Sequence, residues 1–378
     1  MARPVYFLLI AGAIMLAAAC GASESARPGG PTISTVDSSP GSLTLMPGVV
    51  IEPTRDSVYL MNPEGGIDAL KIADGSLLWN SSQADQPLFV EGDRVLAIVD
   101  SAASGLTVAF LDPAKGTSIR KADEPLVLPL PAGVDAAIDQ TLERKFTHAV
   151  RKSGGETYLT WDYLQRGVTG VAPPGGRAPE HREHGAFRYI GGTLEAVEPE
   201  SIVVSSKNWP AELQEQVESK LVRKPPLSNG RVFAITEQRY DPHQVVLSRW
   251  RRRDGMRLEE KLLYDGRAVA VLASCNEHHV VVATTSAQAG ADQPFRLRYY
   301  EIDSGALVAE LQSTRSAGPF CLLGSRLLQL SQPELRRVEG TMVATPLALV
   351  AVDIATGAEL WRRVVRDTAF RGPAPPGS

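Results

Sequence analysis

The chain has 378 residues and a mass of 40.6 kDa, with 43% hydrophobic and 22% charged residues and a mean hydropathy of −0.08. It can therefore bury the core of one large domain or two ordinary ones, which excludes wholesale disorder. Lys and Arg number 39 against 43 Asp and Glu, and the three cysteines are too few for a disulfide scaffold or a multi-cysteine zinc module, so this near-neutral chain is neither that nor a nucleic-acid binder.

Met1 to Ala19 carries one early positive charge, Arg3, and then an apolar run from Val5 closed by Ala17-Ala18-Ala19 ahead of Cys20. About 15 apolar residues is short for a membrane span and suits an export signal, so residues 1–19 are read as a signal peptide. Leu16-Ala17-Ala18-Ala19-Cys20 resembles the bacterial lipobox, with the leucine one place further from the cysteine than usual. That resemblance implies cleavage before Cys20, lipid on its sulfur (a palmitate-type anchor), and residence in the cell envelope. Gly21 is not the aspartate that retains lipoproteins in the inner membrane, which points to an outer-membrane anchor facing the periplasm. From Gly21 to about Leu45 the chain is rich in Gly, Pro and Ser, a composition that cannot offset ordering entropy, so residues 20–45 are expected to form a flexible tether.

A hairpin pattern then recurs along residues 46–366. The stretch SLTLMPGVVIEPTRDSVYLMN precedes IDALKIADGSLLWNSS, whose turn holds Gly75 and whose second strand holds Trp79. PLFVEGDRVLAIVD precedes a turn with Asp112 and Gly116. Gln165–Gly185 is rich in Gly, Pro and charge and reads as a long exposed insertion. Weaker copies surround Gly192, Gly255 and Gly305, and Pro210–Leu221 has Leu213, Val217 and Leu221 at i, i+4 and i+8, the stripe of a short amphipathic helix. The last copy, LALVAVDIATGAELWRRVV, carries Asp353, Gly357 and Trp361. Residues 367–378 are expected to be a disordered tail.

Two hairpins in series make four antiparallel strands, and the six turn glycines are 41, 76, 63, 50 and 52 residues apart. This is the period of a propeller blade. The frame Ala-x-Asp-x-x-Thr-Gly-x-x-x-Trp resembles the pyrroloquinoline-quinone-like propeller repeat. The resemblance implies an all-β propeller of six or seven four-stranded blades, with the tryptophan of one blade packing toward the turn of its neighbour. Gly75, Trp79, Asp112, Gly116, Gly305, Asp353, Gly357 and Trp361 are thus assigned to structure rather than chemistry. Either the last strand, Glu359–Val365, or one near Leu43–Ile51 is expected to complete a shared blade.

Quinone dehydrogenases of that family hold the quinone and Ca²⁺ with carboxylate and amide ligands, often beside a vicinal Cys–Cys disulfide. Here Cys275 and Cys321 are 46 residues apart and no matching acidic cluster is evident, so no cofactor is expected. Equivalent strands of adjacent blades usually stand too far apart for a disulfide, and both cysteines are expected as buried free thiols. His181 and His184 have metal-ligand spacing but fall in the Gly/Pro-rich insertion, where nothing preorganises them; His278 and His279 are expected exposed at a turn. Arg249, Arg251, Arg252 and Arg253 flank Trp250 and read as a solvated edge strand. No catalytic, cofactor or metal residue is assigned. The functional expectation is a non-enzymatic envelope lipoprotein that binds protein partners, similar in architecture to the propeller lipoprotein of the outer-membrane β-barrel assembly machinery. The alternative is a quinoprotein-type oxidoreductase or another propeller enzyme. The insertion and the helix are expected to be additions that the ring does not need, where binding would reside.

Overall fold

In a computed structural model, the chain separates into two compact units, Met1–Thr32 and Ile33–Ser378. The described residues are 41–102, 105–119, 126–129, 142–153, 156–167, 181–199, 202, 209–218, 226–285, 294–313, 315–338 and 341–367, all in the second unit. Cys20 and residues 1–40 lie outside them.

The described residues are all-β apart from one α-helix and short 3-10 turns, and they form six successive antiparallel sheets of four or five strands and one separate hairpin. Sheet 1 contains β1 (Leu43–Met46), β2 (Val49–Glu52), β3 (Ser57–Met61), β4 (Ile67–Lys71) and β5 (Leu77–Ser81). Sheet 2 contains β6 (Gln86–Glu91), β7 (Arg94–Ala102), β8 (Gly105–Leu111) and β9 (Leu126–Pro129). Sheet 3 has β10 (Leu142–Ser153), β11 (Glu156–Gly167), β12 (His181–Ile190) and β13 (Thr193–Val197). After helix α1 (Ala211–Glu218), sheet 4 has β14 (Leu227–Ser228), β15 (Val232–Tyr240), β16 (His243–Arg251) and β17 (Lys261–Asp265). Sheet 5 has β18 (Ala270–Ala273), β19 (His279–Thr284), β20 (Phe295–Glu301) and β21 (Leu307–Ser313). Sheet 6 begins with β22 (Phe320–Leu323) and β23 (Arg326–Ser331). A separate hairpin, β24 (Glu334–Val338) with β25 (Thr341–Thr345), interrupts it before β26 (Ala348–Asp353) and β27 (Glu359–Val364).

Each sheet is an antiparallel meander in chain order, with the β24–β25 hairpin set between β23 and β26. The alternating β-branched and aromatic side chains bury both faces, and, except between sheets 3 and 4, the faces meet those of neighbouring sheets. Sheets 1 and 2 share a core around Tyr59, Trp79, Val95 and Leu111. Sheets 2 and 3 meet at Phe89, Phe110 and Trp161, and sheets 4 and 5 at Leu247 and Val282. Sheets 5 and 6 meet at Tyr299 and Phe320. The last sheet packs against the first through Val49, Leu60, Leu70, Leu328, Leu349 and Trp361. The first strands lie toward neighbouring sheets: β6 contacts β1, β2 and β3 of sheet 1 and β10 of sheet 3, and Ser274, just after β18, forms a parallel bridge to Phe320 in β22. The fourth or fifth strand of each sheet therefore lies at the distal edge.

Several expectations are corrected. No blade is shared between the termini: sheet 1 supplies its own first hairpin, turning at Gly48, and β27 pairs within sheet 6. Sheets 1 and 6 are joined instead by side chains and by the Arg366 amide, which donates to the Met61 carbonyl at 3.0 Å. Strand structure starts at Leu43, inside the stretch read as tether. Cys275 and Cys321 form a disulfide with a Cα separation of 4.9 Å, not free thiols. The spacing of equivalent strands fails as a guide here because the Ser274–Phe320 bridge, with the Cys275 amide donating to the Phe320 carbonyl at 2.8 Å, draws the two first strands together.

Both ends of the expected insertion are strand, Gln165–Gly167 in β11 and His181–Gly185 in β12, so His181 and His184 sit on a strand; residues 168–180 lie outside the described set. The segment Arg249–Arg251 belongs to β16, which is flanked on both sides rather than at an edge, and Trp250 is fully buried. His279 opens β19 half-buried, whereas His278 is exposed.

Helix α1 is part of the packing. Among the described residues, no side-chain cluster joins sheet 3 directly to sheet 4. Leu213 and Val217 of α1, with Trp209, cover Phe233, Ile235 and Trp250 of sheet 4, and Ile202 covers Tyr158 and Ala186 of sheet 3. The Trp250 indole donates to Glu212 Oε2 at 3.1 Å, and Arg257 donates to Glu212 Oε1 at 2.5 Å. The Leu213–Val217 stripe thus replaces a neighbouring sheet.

Candidate functional site

The six turn glycines all lie in the loop between the last two strands of a sheet. In five of the loops the glycine amide donates to the carbonyl four residues earlier: Gly75 to Lys71, Gly116 to Asp112, Gly255 to Arg251, Gly305 to Glu301 and Gly357 to Asp353. Closing this turn takes the backbone to φ +69° at Gly75 and +68° at Gly116, where a Cβ is penalised. Acidic side chains cap the same turns. Asp353 Oδ1 accepts from the amides of Ala355 and Thr356 and from the Thr356 hydroxyl, and these bonds, led by the Thr356 amide, hold its carboxyl below the usual range. Asp112 Oδ1 accepts from the Ala114 amide at 2.7 Å.

Five of the six glycines leave a bare surface that the preceding sheet covers. Trp361 of sheet 6 lies on Gly75 of sheet 1, where an added Cβ would come within 2.6 Å of the indole, and its Nε1 donates to the Ile72 carbonyl at 3.0 Å. Trp79 of sheet 1 lies on Gly116 of sheet 2, with Nε1 donating to the Pro113 carbonyl at 2.8 Å. Arg94 of sheet 2 covers Gly192 of sheet 3, Lys261 of sheet 4 covers Gly305 of sheet 5, and Leu311 of sheet 5 covers Gly357 of sheet 6. At the one remaining joint, Gly255 of sheet 4 is met by Pro210, at the start of α1, in place of a residue from sheet 3. The approach is tight at Gly75, Gly116, Gly192 and Gly305 and an ordinary van der Waals contact at Gly255 and Gly357, and the covering residues share no chemistry.

Two surfaces remain that the packing does not consume. The first is the distal edge. Leu77 and Leu78 of β5, Leu262 of β17, Leu307 and Val308 of β21, and Leu360 and Val364 of β27 are between 40% and 54% exposed on four consecutive sheets of the 4-5-6-1 sequence. Among the described residues, each of these strands pairs with one neighbour only.

The second is a cavity of about 190 Å³ where sheets 5 and 6 meet. Arg315 and Ala317 of the connector line it, with Gln329 and Ser331 of β23 and Val350 and Val352 of β26. Arg315 Nη2 donates to Thr345 Oγ1 at 3.3 Å, and the Tyr299 hydroxyl donates to Gln329 Oε1 at 3.5 Å. Burial pushes the Tyr299 phenol far above its ordinary value, so it stays protonated and donating. Ser331 is 8% exposed and its buried Oγ has no hydrogen-bond partner.

The arginines around Trp250 are internally engaged. Arg249 donates to the carbonyls of Asp303 and Glu259, Arg251 pairs with Asp254 at 3.0 Å, and Arg252 donates to Ser228 at 3.1 Å. The distal apolar strands and the cavity escaped the sequence reading: the strands because Leu and Val at a strand read as core, the cavity because its lining comes from three separated segments.

No protein family model matches the chain, and no curated protein matches it. Among solved structures it is similar to the AtxE2 isopeptidase in its apo form, at 11% identity and TM-score 0.40 over 90% of this chain and 52% of that one. It is also similar to the computationally designed Ika8 protein, at 10% identity and TM-score 0.32 over 88% and 90% of the two chains. A third is the dihydro-heme d1 dehydrogenase NirN, at 12% identity and TM-score 0.31 over 90% and 76%.

Proposed function

We propose that the six sheets are the blades of a closed β-propeller that acts as a non-enzymatic scaffold in the cell envelope, exported and held by lipid on Cys20 at the outer membrane, facing the periplasm. The observation that carries the reading is the set of exposed aliphatic side chains on the distal edge. Four consecutive blades present aliphatic side chains on strands with one free hydrogen-bonding side. Such edges ordinarily carry charge or a cover that blocks strand addition. Here exposed leucines and valines share those edges with charged side chains such as Lys261, Glu310 and Arg362, and the aliphatic positions suit an extended segment of a partner protein that adds a strand, with main-chain bonds supplying affinity and side-chain contacts supplying register. The Cys275–Cys321 disulfide supports an oxidising compartment. A ring whose blades are clamped turn to side chain offers a rigid platform for such docking.

The test is a photo-crosslinking amino acid placed in living cells at Leu78 or Leu360, with exposed Lys115 on a turn as control. The reading expects the same envelope protein bound at both edge positions, not at Lys115, and lost when Leu360→Asp is combined with the probe at Leu78. Absence of edge adducts, or dye-linked alcohol oxidation on adding quinone and Ca²⁺ to the purified protein, would overturn it.

A further inference from the structure

Two turns of sheet 4 bring exposed arginines together. Arg231 lies between β14 and β15, Arg251 ends β16, and Arg253 and Met256 stand in the turn between β16 and β17. In a meander both turns fall at the same end of the sheet, and the Arg252 amide donates to the Arg231 carbonyl at 2.9 Å, which holds them side by side. The Arg231 side chain is 83% exposed, that of Arg253 77%, and Met256 is 49% exposed. Two carboxylates face these arginines, and each is shared. Asp254 Oδ2 accepts from Arg251 at 3.0 Å and from Arg253 at 3.4 Å, while its other oxygen accepts from the Met256 amide at 3.1 Å. Asp303 of sheet 5 meets Arg231 at 3.4 Å and also accepts from Asn229. Among the described residues, no other carboxylate pairs with Arg231, Arg251 or Arg253.

Three arginines against two shared carboxylates leave a positive surplus. Exposed ion pairs of this kind contribute little to stability, and each guanidinium keeps further N–H donors toward solvent, so an arriving anion need not break the fold to be bound. Turn tips stand proud of the strands and do not enclose a small ligand, so they suit a flat anionic partner. We infer that these two turns dock on an anionic lipid surface, with lipid phosphates taken by Arg231 and Arg253 and the Met256 thioether entering the headgroup layer. Guanidinium matches phosphate oxygens in bidentate geometry, and an apolar side chain beside it gains by leaving water at the lipid boundary. An acidic peptide would match the charge but would give Met256 nothing to enter. The chain as a whole carries a formal net charge of −4, so the rest of its surface is repelled and the contact is oriented through this patch. The inference uses neither the distal edge nor lipid on Cys20, and its test can fail while that reading stands.

The full-length chain, extracted in detergent and reconstituted into vesicles, tests this with an environment-sensitive fluorescent amino acid at Met256, or at exposed Glu64 in the β3–β4 turn as control. On equimolar phosphatidylcholine and phosphatidylglycerol the Met256 probe should shift to the blue. On phosphatidylcholine alone it should not, and added salt should reverse the shift. Each arginine near an anionic surface contributes about fivefold to the docked population, so Arg231→Gln with Arg253→Gln should lower the ratio of docked to undocked protein by about thirtyfold. The comparison of the two vesicles with both arginines in place keeps the inference falsifiable even if that variant misfolds. Equal emission on the two vesicles, a shift that survives both substitutions, or the same shift at Glu64 overturns it. A blue shift raised on phosphatidylcholine vesicles by polyglutamate in solution also overturns it, because the patch would then take an acidic protein segment.

Discussion

Replacing both cysteines of the inter-sheet disulfide, Cys275→Ala with Cys321→Ala, removes the side-chain cross-link between sheets 5 and 6. The two positions are 46 residues apart in sequence. For a loop of that length the chain-entropy account assigns about 4 kcal/mol to the cross-link. Cys321 is fully buried in the core joining sheets 1 and 6, with Cys275 packed against it, so the alanines also leave a small void in that core. The 266 described residues unfold with an entropy of roughly 0.6 kcal/mol/K, so the loss lowers the melting temperature by about 7 °C. Differential scanning calorimetry of the oxidised protein and the double variant measures this, and dithiothreitol on the unmodified protein should reproduce most of the shift. A variant that melts with or above the oxidised protein would refute the reasoning, because the two sheets would then be held in register without the link.

Gly116→Ala should cost more than about 2 kcal/mol, since it combines a left-handed backbone with a collision against the Trp79 ring; Trp79→Phe should cost about 1–3 kcal/mol by stranding the Pro113 carbonyl, both read by chemical denaturation. Leu213→Asp should cost about 3 kcal/mol or more and shift Trp250 fluorescence to the red, because the helix is what keeps that indole dry; an unshifted spectrum would show that sheet 4 does not need it. Burial, aided by the charge of His278 and opposed by Glu301 and Asp303, holds His279 below its ordinary value of 6.5. The unfolded chain therefore binds the extra proton first, and stability should fall as pH drops below about 6.5 toward the lower folded value. His279→Gln should flatten that decline in melting temperature, and an unchanged slope would assign it to other groups.

The turn glycines and the two tryptophans were legible in the sequence because each answers a local demand: a positive φ closes the turn, and a large ring fills the space left by a missing Cβ. Gly192, Gly255 and Gly305 could be placed by the same demand, yet their covers could not, because Arg94, Pro210 and Lys261 share nothing but position. The helix was visible through Leu213 and Val217, but not its task, since a stripe shows that a face is buried and not which sheet buries it. The disulfide was misread for a related reason. Strand spacing is a property of sheets, whereas the approach of Cys275 to Cys321 depends on the Ser274–Phe320 bridge, which leaves no trace in composition. The cavity depends on three segments meeting, with a serine whose lack of a partner exists only in the fold.

The claim that the six sheets close into a ring rests most directly on Gly75 and Trp361, which are 286 residues apart in sequence and in contact in space. A double-mutant cycle of Gly75→Ala and Trp361→Ala, followed by chemical denaturation, isolates that contact. Gly75→Ala alone forces a Cβ to within 2.6 Å of the indole, while in the Trp361→Ala background only the backbone strain at φ +69° remains. A closed ring predicts that the two losses fall short of additivity by about 2 kcal/mol. Additivity within about 0.5 kcal/mol would place the first and last sheets out of contact and contradict the closed propeller.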